Sequence, residues 1–422
     1  MTNEKIKTPD GSHSFWDVFM PGALIYFMHN PMPPRSGAHR RCLQMISGLR
    51  EAGYRVTLAS STLHTETPWS SQAVSGLREA GIEDVEVFDR GSWDRGCDAL
   101  ARRWDRLTRA PLHTQLPEVA CPSSLKVWFH RLAEKVSPDV LLMNYCWFDS
   151  LVRHRMAPRE IIETHDIITV NSALRRTVQQ MLVDYENGTV DPRLFDVQFM
   201  AAITPAPAAE EMDIYARYDD VIAISPAEES LLRSRLPHTR VRCIPVSDTP
   251  RWVDNTYDGP LVITAGPNPF NSQACLYFAE KVWPLVVKQH PSARAVIAGT
   301  AALSNGVRGS GLQTLGFVED LTSLYAAAPM VVSAVFVGTG QQIKVVEALA
   351  HGVPVVALKS KTLSHLLEDG ETGFIVSSAE EMASRIVQLF RDRSLCSRLG
   401  GEGRLRVAAD SASHKGLPAL FG

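Results

Sequence analysis

The sequence lacks the features of several common protein classes. Its 422 residues contain seven dispersed cysteines with no CxxC pair and no zinc-ligand spacing, so neither a disulfide framework nor a zinc site is predicted. No apolar run reaches the roughly 18 residues that a membrane-spanning helix needs. The opening MTNEKIKTPDGSH lacks the charged and apolar order of a signal peptide. We therefore expect a soluble, cytoplasmic protein, with peripheral membrane contact left open as an alternative.

An excess of charge of one sign is also absent. The 43 lysines and arginines nearly balance the 46 aspartates and glutamates, which gives a formal net charge of −3. Bulk electrostatics therefore indicate no nucleic-acid partner, and local basic clusters such as Arg102-Arg103 are typical of solvated faces. With 45% hydrophobic residues the chain can bury a large core, and its length favours two domains.

Short apolar strands alternate with amphipathic helices along most of the chain. The first strand is predicted at residues 24–29 (LIYFMH), and a helix follows a proline-rich loop and ends near Ala52. Further strands are predicted at 54–59, 85–88, 140–144, 161–164 and 221–224. Residues 171–217 are expected to be helical with two interruptions, and Ser225 to Glu228 predicts a capping box. This order indicates parallel βαβ units.

A polar, turn-rich segment interrupts the alternation at residues 247–260 and is interpreted as a linker. Strands at 261–265, 295–298, 312–315, 330–335 and 354–358 and a helix at 272–289 follow, and helices at about 379–391 and 395–408 close the chain. We predict an N-terminal Rossmann-like domain (1–246), the linker, a second Rossmann-like domain (261–395) and a C-terminal helical tail (396–422). The expected fold is α/β, with two doubly wound domains facing a central cleft, where ligands bind beyond the carboxyl ends of the strands.

The segment of residues 329–376 carries the strongest functional signal. An apolar strand leads into a glycine loop, and the helix after it carries a lysine and a glutamate three residues apart on one face. Glycines let a phosphate approach the backbone, and free N–H groups at a helix start attract it. A glycine loop, a helix start, a lysine and a glutamate together can bind the phosphates and a sugar hydroxyl of a nucleotide-sugar. The alternative is a structural loop beside a solvated ion pair. The predicted binding residues here are Gly338, Thr339, Gly340, Gln341, Lys344 and Glu347.

Two further motifs lie at the predicted carboxyl ends of strands in the first half. Ser36 and Gly37 open a helix, so they are expected to face phosphate from the other side of the cleft, although a simple helix cap is the alternative. His165 and Asp166 end another strand. A histidine there can donate to a sugar hydroxyl or move a proton, but a merely structural hydrogen bond is equally compatible with the pattern.

Two motifs of the second half are weaker. Gly266 and Asn268 lie in the loop after the first strand of that half, where a turn is the alternative to a binding loop. Phe317 follows a predicted strand and could flank a base ring, but packing into the core explains a phenylalanine equally well.

With these residues identified, the chain resembles the retaining GT-B glycosyltransferases of glycosyltransferase family four. The resemblance is clearest over GPLVITAGPNPFNSQACLYFAEKVWPLVVKQHPSARAVIAG and LGFVEDLTSLYAAAPMVVSAVFVGTGQQIKVVEALAHGVPVVAL. It implies that Glu347 binds the nucleotide ribose and that the glycine loop surrounds the sugar and diphosphate. It also implies that Lys344 supports the phosphates, that Gly37 faces the diphosphate and that His165 lies near the transferred sugar.

The chain departs from the family pattern in two places. Thr339 stands where the family has the earlier of two glutamates, and the usual arginine and lysine are absent from the loop at residues 266–271. The phosphate charge would then depend on Lys344, Arg35, Arg40 and helix dipoles.

The resemblance implies a retaining transfer from a nucleotide-diphosphate sugar to a hydroxyl acceptor. The acceptor class is open (glycan, polysaccharide, lipid or small molecule), and no metal or other cofactor is expected. We predict His165, Asp166 and Lys344 as the catalytic residues. Two alternatives remain: a nucleotide-sugar epimerase of the same architecture, and a non-catalytic partner protein that keeps the fold, which the two departures favour.

Overall fold

The computed structural model describes residues 20–34, 36–65, 68–82, 84–108, 116, 121–153, 155–299, 309–413 and 421, without the side chains of 101–108 and 412–413. The sequence predicts a loose arm at residues 1 to about 20, which apart from Met20 lies outside these residues, as does Arg35. No helix in the described part of the chain is long and apolar enough to cross a bilayer.

The first sheet is built from short apolar runs. Its parallel strands are β1 (Gly22–Tyr26), β2 (Arg55–Ser61), β3 (Asp84–Phe88), β4 (Val140–Asn144), β5 (Arg159–Glu163), β6 (Asp220–Ala223) and β7 (Arg240–Cys243). Their order is β3-β2-β1-β4-β5-β6-β7, so the winding reverses between β1 and β4. Such a switch point opens a crevice beyond the carboxyl ends of these two strands.

The helices of this unit connect its strands. They are α1 (Gly37–Glu51), α2 (Ser71–Glu79), α3 (Ser92–Thr108), α4 (Ser123–Val136), α5 (Ile168–Glu186), α6 (Val197–Ala202), α7 (Ala209–Tyr215) and α8 (Pro226–Arg235). The predicted interruptions between 171 and 217 are present, with a 3-10 turn at Pro192–Phe195. Only half of the predicted capping box forms: Ser225 caps α8, but Glu228 accepts from Ile224 N–H and Ile167 N–H instead of the cap.

The second sheet repeats the design. Its parallel strands are β8 (Leu261–Thr264), β9 (Ala295–Ala298), β10 (Leu312–Gly316), β11 (Val331–Ser333), β12 (Val355–Leu358) and β13 (Gly373–Val376). Their order, β10-β9-β8-β11-β12-β13, puts the switch point between β8 and β11. The helices are α9 (Pro269–Tyr277), α10 (Trp283–Gln289), α11 (Thr322–Ala327), α12 (Ile343–Ala350), α13 (Ala379–Arg391) and α14 (Arg393–Ser413).

Several elements differ from their predicted extent, among them β11, which spans Val331–Ser333 instead of 330–335. Strand β1 ends at Tyr26 instead of residue 29. The helix expected at 272–289 is divided by a π-helical turn at Phe278–Val282, next to Pro284, which has no N–H to donate. The final helix begins at Arg393 and ends at Ser413, whereas we predicted 395–408.

The linker and the chain end connect the two units. As predicted, residues 247–260 contain no helix or strand. The N–H groups of Arg251 and Thr256 donate to carbonyls of the second unit at 2.8 Å, so most of the linker is fixed to that unit. Phe421, by contrast, is buried in an apolar cluster of the first unit, where Tyr54 Oη donates to its carbonyl at 2.8 Å.

Candidate active site in the cleft

A cavity of about 490 Å³ lies in the cleft between the two units. Its walls are the loop that opens α1, the loop between β8 and α9, the glycine loop and α12. The predicted residues that line it are Ser36, Gly37, Gly266, Asn268, Gly338, Thr339, Gln341, Lys344 and Glu347. The structure therefore brings together residues from three segments that are distant in sequence.

A second cavity, of about 390 Å³, adjoins the first on the side of the N-terminal unit. It contains the predicted residues His165, Asp166 and Gly340, and it shares Gly37, Thr339 and Gln341 with the first cavity. Phe317 lines neither cavity and is 69% exposed in the loop after β10. A contact between Phe317 and a base stays a prediction without structural support.

The two units approach each other closely at Gly37. A Cβ atom on this glycine would lie 2.0 Å from Ile343 Cδ1 at the start of α12. Ser36 caps α1 by accepting from His39 N–H at 3.2 Å. The N–H groups of Gly37 and Ala38 come before the first intrahelical bond, so they are available to an anion.

The glycine loop has a backbone that only glycine adopts easily. Gly338 and Gly340 have φ angles of +148° and +74°. Thr339 Oγ1 accepts from Asn171 Nδ2 at 2.7 Å, and Gln341 Oε1 accepts from Val246 N–H at 2.6 Å. Both contacts cross to the first unit or its junction with the linker, so the loop is held by both units.

Lys344 presents a buried ammonium group to the first cavity. Its Nζ donates to Thr264 O at 2.7 Å and to Asn271 Oδ1 at 3.2 Å. An ammonium group has three donors, so one N–H is left for a ligand. Burial lowers the pKa of Lys344 to about 8, so the group is charged at neutral pH but close to its titration.

Glu347 is paired with an arginine of the opposite unit. Arg40 Nη2 donates to Glu347 Oε1 at 2.7 Å, and Arg40 Nη1 lies 3.3 Å from Asp248 of the linker. The sequence predicts only a general role for Arg40 as phosphate charge and does not predict its partner. The available signal was its position three residues after Gly37, which puts both on one face of α1.

His165 is held as a neutral ring in the second cavity. Its Nε2 lies 2.8 Å from Asn144 Oδ1, and Asn144 Nδ2 donates to Tyr26 O, so Nε2 carries the proton and Nδ1 is an acceptor. Burial, with the charges of Arg41 and His29, lowers the pKa of His165 well below its usual value.

Asp166 lies beside His165 and reaches towards the glycine loop. Asn171 Nδ2 donates to Asp166 Oδ2 at 2.5 Å as well as to Thr339, which connects the carboxylate to the loop. Burial raises the pKa of Asp166 to about 6, because the charged form is poorly solvated there. Asp166 is therefore ionised at neutral pH but protonated in mild acid.

An aromatic stack forms one wall of the second cavity and was not predicted. Tyr145 stacks on His165 with ring centroids 4.1 Å apart, and Trp147 stacks on Tyr145 at 5.0 Å. Tyr145 and His165 have φ angles of +66° and +55°, each of which costs about 1–3 kcal/mol in a residue with a side chain. Strain of this kind concentrates at functional sites, and the sequence signal was the aromatic pair after β4.

Two facing, doubly wound parallel sheets with a cleft between them define the GT-B fold of glycosyltransferases. Residues 259–392 match the family described as Glycosyl transferases group 1. Among curated proteins, the chain is 30% identical over 131 residues to "Putative glycosyltransferase EpsD" of Bacillus subtilis (strain 168). That match covers 28% of this chain and 34% of the relative, so the chain spans about a third of the length of that protein.

Solved structures confirm the fold over nearly the whole chain. Sucrose-phosphate synthase from Thermosynechococcus elongatus has a TM-score of 0.62 at 18% identity and covers 95% of this chain and 98% of its own. Anabaena Alr3699/HepE, in complex with UDP and glucose, has a TM-score of 0.60 at 16% identity, and the match covers 95% of this chain and 99% of the Alr3699/HepE chain. At these identities the likeness supports the shared fold.

Proposed function

We propose that the chain is a retaining glycosyltransferase that moves a sugar from a nucleotide-diphosphate sugar to a hydroxyl group of an acceptor. The carrying observation is the open cavity in which Gly37 of one unit faces Lys344 and Glu347 of the other. A cavity filled by side chains would instead have favoured the non-catalytic partner. The match of residues 259–392 to Glycosyl transferases group 1 supports the same proposal.

In the proposed complex the nucleotide lies on α12 and the sugar points into the second cavity. Glu347 accepts from the ribose hydroxyls through Oε2, while Oε1 keeps its contact with Arg40. The third N–H of Lys344 and the N–H groups at the start of α1 bind the diphosphate. Because Alr3699/HepE was crystallised with UDP and glucose, a UDP-sugar is the first donor to test.

The chemistry follows from the family resemblance. The bond from the anomeric carbon to the diphosphate oxygen breaks with its electron pair, and the acceptor oxygen bonds to the same face of that carbon. The leaving diphosphate takes the acceptor proton. Lys344 and the loop N–H groups stabilise the departing charge, and contact between the units excludes water.

Asp166 has a defined place in this proposal. Its carboxylate is linked through Asn171 to Thr339, the position where the resembled family has a glutamate. Thr339 has no negative charge, so a carboxylate contact with the sugar cannot come from that position. We assign this contact with a sugar hydroxyl to Asp166. Nδ1 of neutral His165 accepts a hydrogen bond from a second sugar hydroxyl.

A thermal-shift screen against UDP, GDP, dTDP, ADP and CMP tests the donor site. A ligand at a hundred times its dissociation constant stabilises the folded state by about 2.7 kcal/mol. We expect one nucleotide to stand out, and Glu347→Ala to lose that shift. Asp248→Asn is the matched control, because it also removes a carboxylate from Arg40 but does not line the donor cavity.

The outcomes separate the three functions. No shift with any nucleotide, or an equal shift in Glu347→Ala, rejects the donor site and favours the non-catalytic partner. A bound nucleotide-sugar that is converted to another sugar without an acceptor identifies the epimerase. Transfer to an acceptor with an unchanged anomeric configuration, measured by NMR of the product, supports the retaining enzyme.

A further inference from the structure

Helix α5 forms a continuous wall from the second cavity into a third one. Its first residues, including Asn171 and Arg175, line the 390 Å³ cavity beside His165. Arg175 and the residues beyond it, as far as Glu186, line a further cavity of about 600 Å³, whose other wall is the loop between β8 and α9. The 19 residues of α5 extend about 28 Å at 1.5 Å each, so the wall is longer than one sugar ring.

Two arginines of this wall have no partner among the residues that the structure describes. Arg175 and Arg176 are exposed, and no described residue makes an ion pair or a hydrogen bond with either. The other arginines of the cleft differ, because Arg40 is paired with Glu347 and Arg41 with Glu163. An unpaired guanidinium in a groove is a donor fork that fits carboxylate or phosphate.

The rest of the wall suits a sugar chain. Gln179 and Gln180 present amides next to the arginines, and an amide can both donate to and accept from hydroxyl groups. At the reacting end, part-exposed Trp147 is the outer ring of the aromatic stack and offers a flat apolar face. A pyranose ring has one face of C–H groups, which fits such a surface.

Resting on the proposed function, we propose that the acceptor is an anionic glycan. Its terminal sugar lies in the second cavity against Trp147 and His165, and its carboxylate or phosphate groups lie against Arg175 and Arg176 along α5. A neutral sugar would leave both guanidiniums without a partner, and a free monosaccharide would leave the third cavity empty. The negative Glu186 marks the far end of the wall.

Binding calorimetry in the presence of the nucleotide selected by the thermal-shift screen tests this proposal. The probes are oligogalacturonides and their methyl esters, which have the same sugars without the charge. A second pair is a phosphorylated malto-oligosaccharide and its dephosphorylated form. The variants are Arg175→Gln, Arg176→Gln and the double variant, with Arg235→Gln as the control because it is an exposed arginine of α8 that lines none of these cavities.

We expect at least one charged probe to bind the wild type about tenfold or more tightly than its neutral form. This ratio falls towards one in the double variant and is unchanged in Arg235→Gln. The pair that shows the ratio identifies the charged group as carboxylate or phosphate. Added salt weakens only the charged probe, because the guanidiniums are exposed.

Equal or absent binding of charged and neutral probes overturns the proposal. So does a loss of nucleotide affinity in Arg175→Gln with an unchanged probe ratio, since the arginines would then serve the donor diphosphate. Nucleotide binding without a charge preference rejects this inference alone. Absence of nucleotide binding rejects the proposed function.

Discussion

Lys344 and Asp166 are titratable groups whose pKa values have moved towards neutrality from opposite directions. Burial lowers the pKa of Lys344 to about 8 and raises the pKa of Asp166 to about 6. Only between these values are Lys344 and Asp166 both charged in the free protein. The same desolvation therefore sets both limits of a narrow working range.

We expect kcat/KM to be bell-shaped in pH. It rises as the pH passes through about 6 because Asp166 ionises, and it falls through about 8 because Lys344 loses its proton. Initial rates at limiting donor measure this profile. Lys344→Arg is the informative variant, since a guanidinium stays charged and the alkaline limb should disappear. An alkaline limb that persists in Lys344→Arg would belong to another group.

For single residues, the sequence predicts contacts between residues that are only a few positions apart in the chain. Lys344 and Glu347 are three residues apart, so their common face follows from helix geometry. Arg40 and Glu347 are 307 residues apart, and their pairing depends on how the two units meet. The stack of Tyr145 on His165 also needed the structure, because it depends on two strained backbones at neighbouring strand ends.

The first turns of α1 and α12 meet across the cleft, and a single glycine makes this approach possible. Gly37→Ala would place a methyl group 2.0 Å from Ile343 Cδ1, so either the Ile343 side chain or the two helices must shift. We expect kcat/KM to fall by up to about 10²-fold, because misplacement by about 1 Å can have that effect. Circular dichroism should show an unchanged fold.

The double variant Gly37→Ala, Ile343→Ala is the control for this effect. It removes the colliding atoms from α12, so we expect much of the activity to return. If the double variant is no better than Gly37→Ala alone, then the backbone of the first loop is at fault and the contact between the helices is not.

At the scale of elements, strong local patterns gave good predictions. The strands at 140–144 and 295–298 have the predicted bounds because they are continuous apolar runs, and the helix Ala379–Arg391 has them because its apolar residues recur with the helical period. Strand β13 was missed, since its four residues contain a glycine and resemble a loop. The π-helical turn at Phe278–Val282 was missed because the pattern continues through it while one extra residue enters the turn.

The whole molecule is held closed by polar contacts that the donor site also uses. Asn171 donates to Thr339, Arg40 pairs with Glu347, and Gln341 accepts from the backbone of Val246. The closed arrangement therefore depends partly on side chains that a ligand would contact. Domain boundaries remain a prediction, although the linker and the switch points agree with two units.

We expect the variant Arg40→Gln, Asn171→Ala to open the cleft without unfolding either unit. It removes two of these contacts, each worth about 1 kcal/mol or somewhat more. Small-angle X-ray scattering should show a larger radius of gyration than the wild type, and a bound nucleotide-sugar should reduce the difference. An unchanged radius in the empty variant would mean that the remaining contacts, such as those of Gln341 with Val246 and Gln273 with Leu194, are enough to hold the units together.

The position of Phe421 has a consequence for the order in which the protein is made. The Phe421 side chain is part of the core of the first unit. The Tyr54 hydroxyl donates to the Phe421 carbonyl, and Tyr54 precedes Phe421 by 367 residues. A ribosome adds about 5–20 residues per second, so roughly 20–70 s pass between the two. During that time the first unit leaves the ribosome without the Phe421 side chain, which completes the apolar cluster of the described residues only when the late segment of the chain is made.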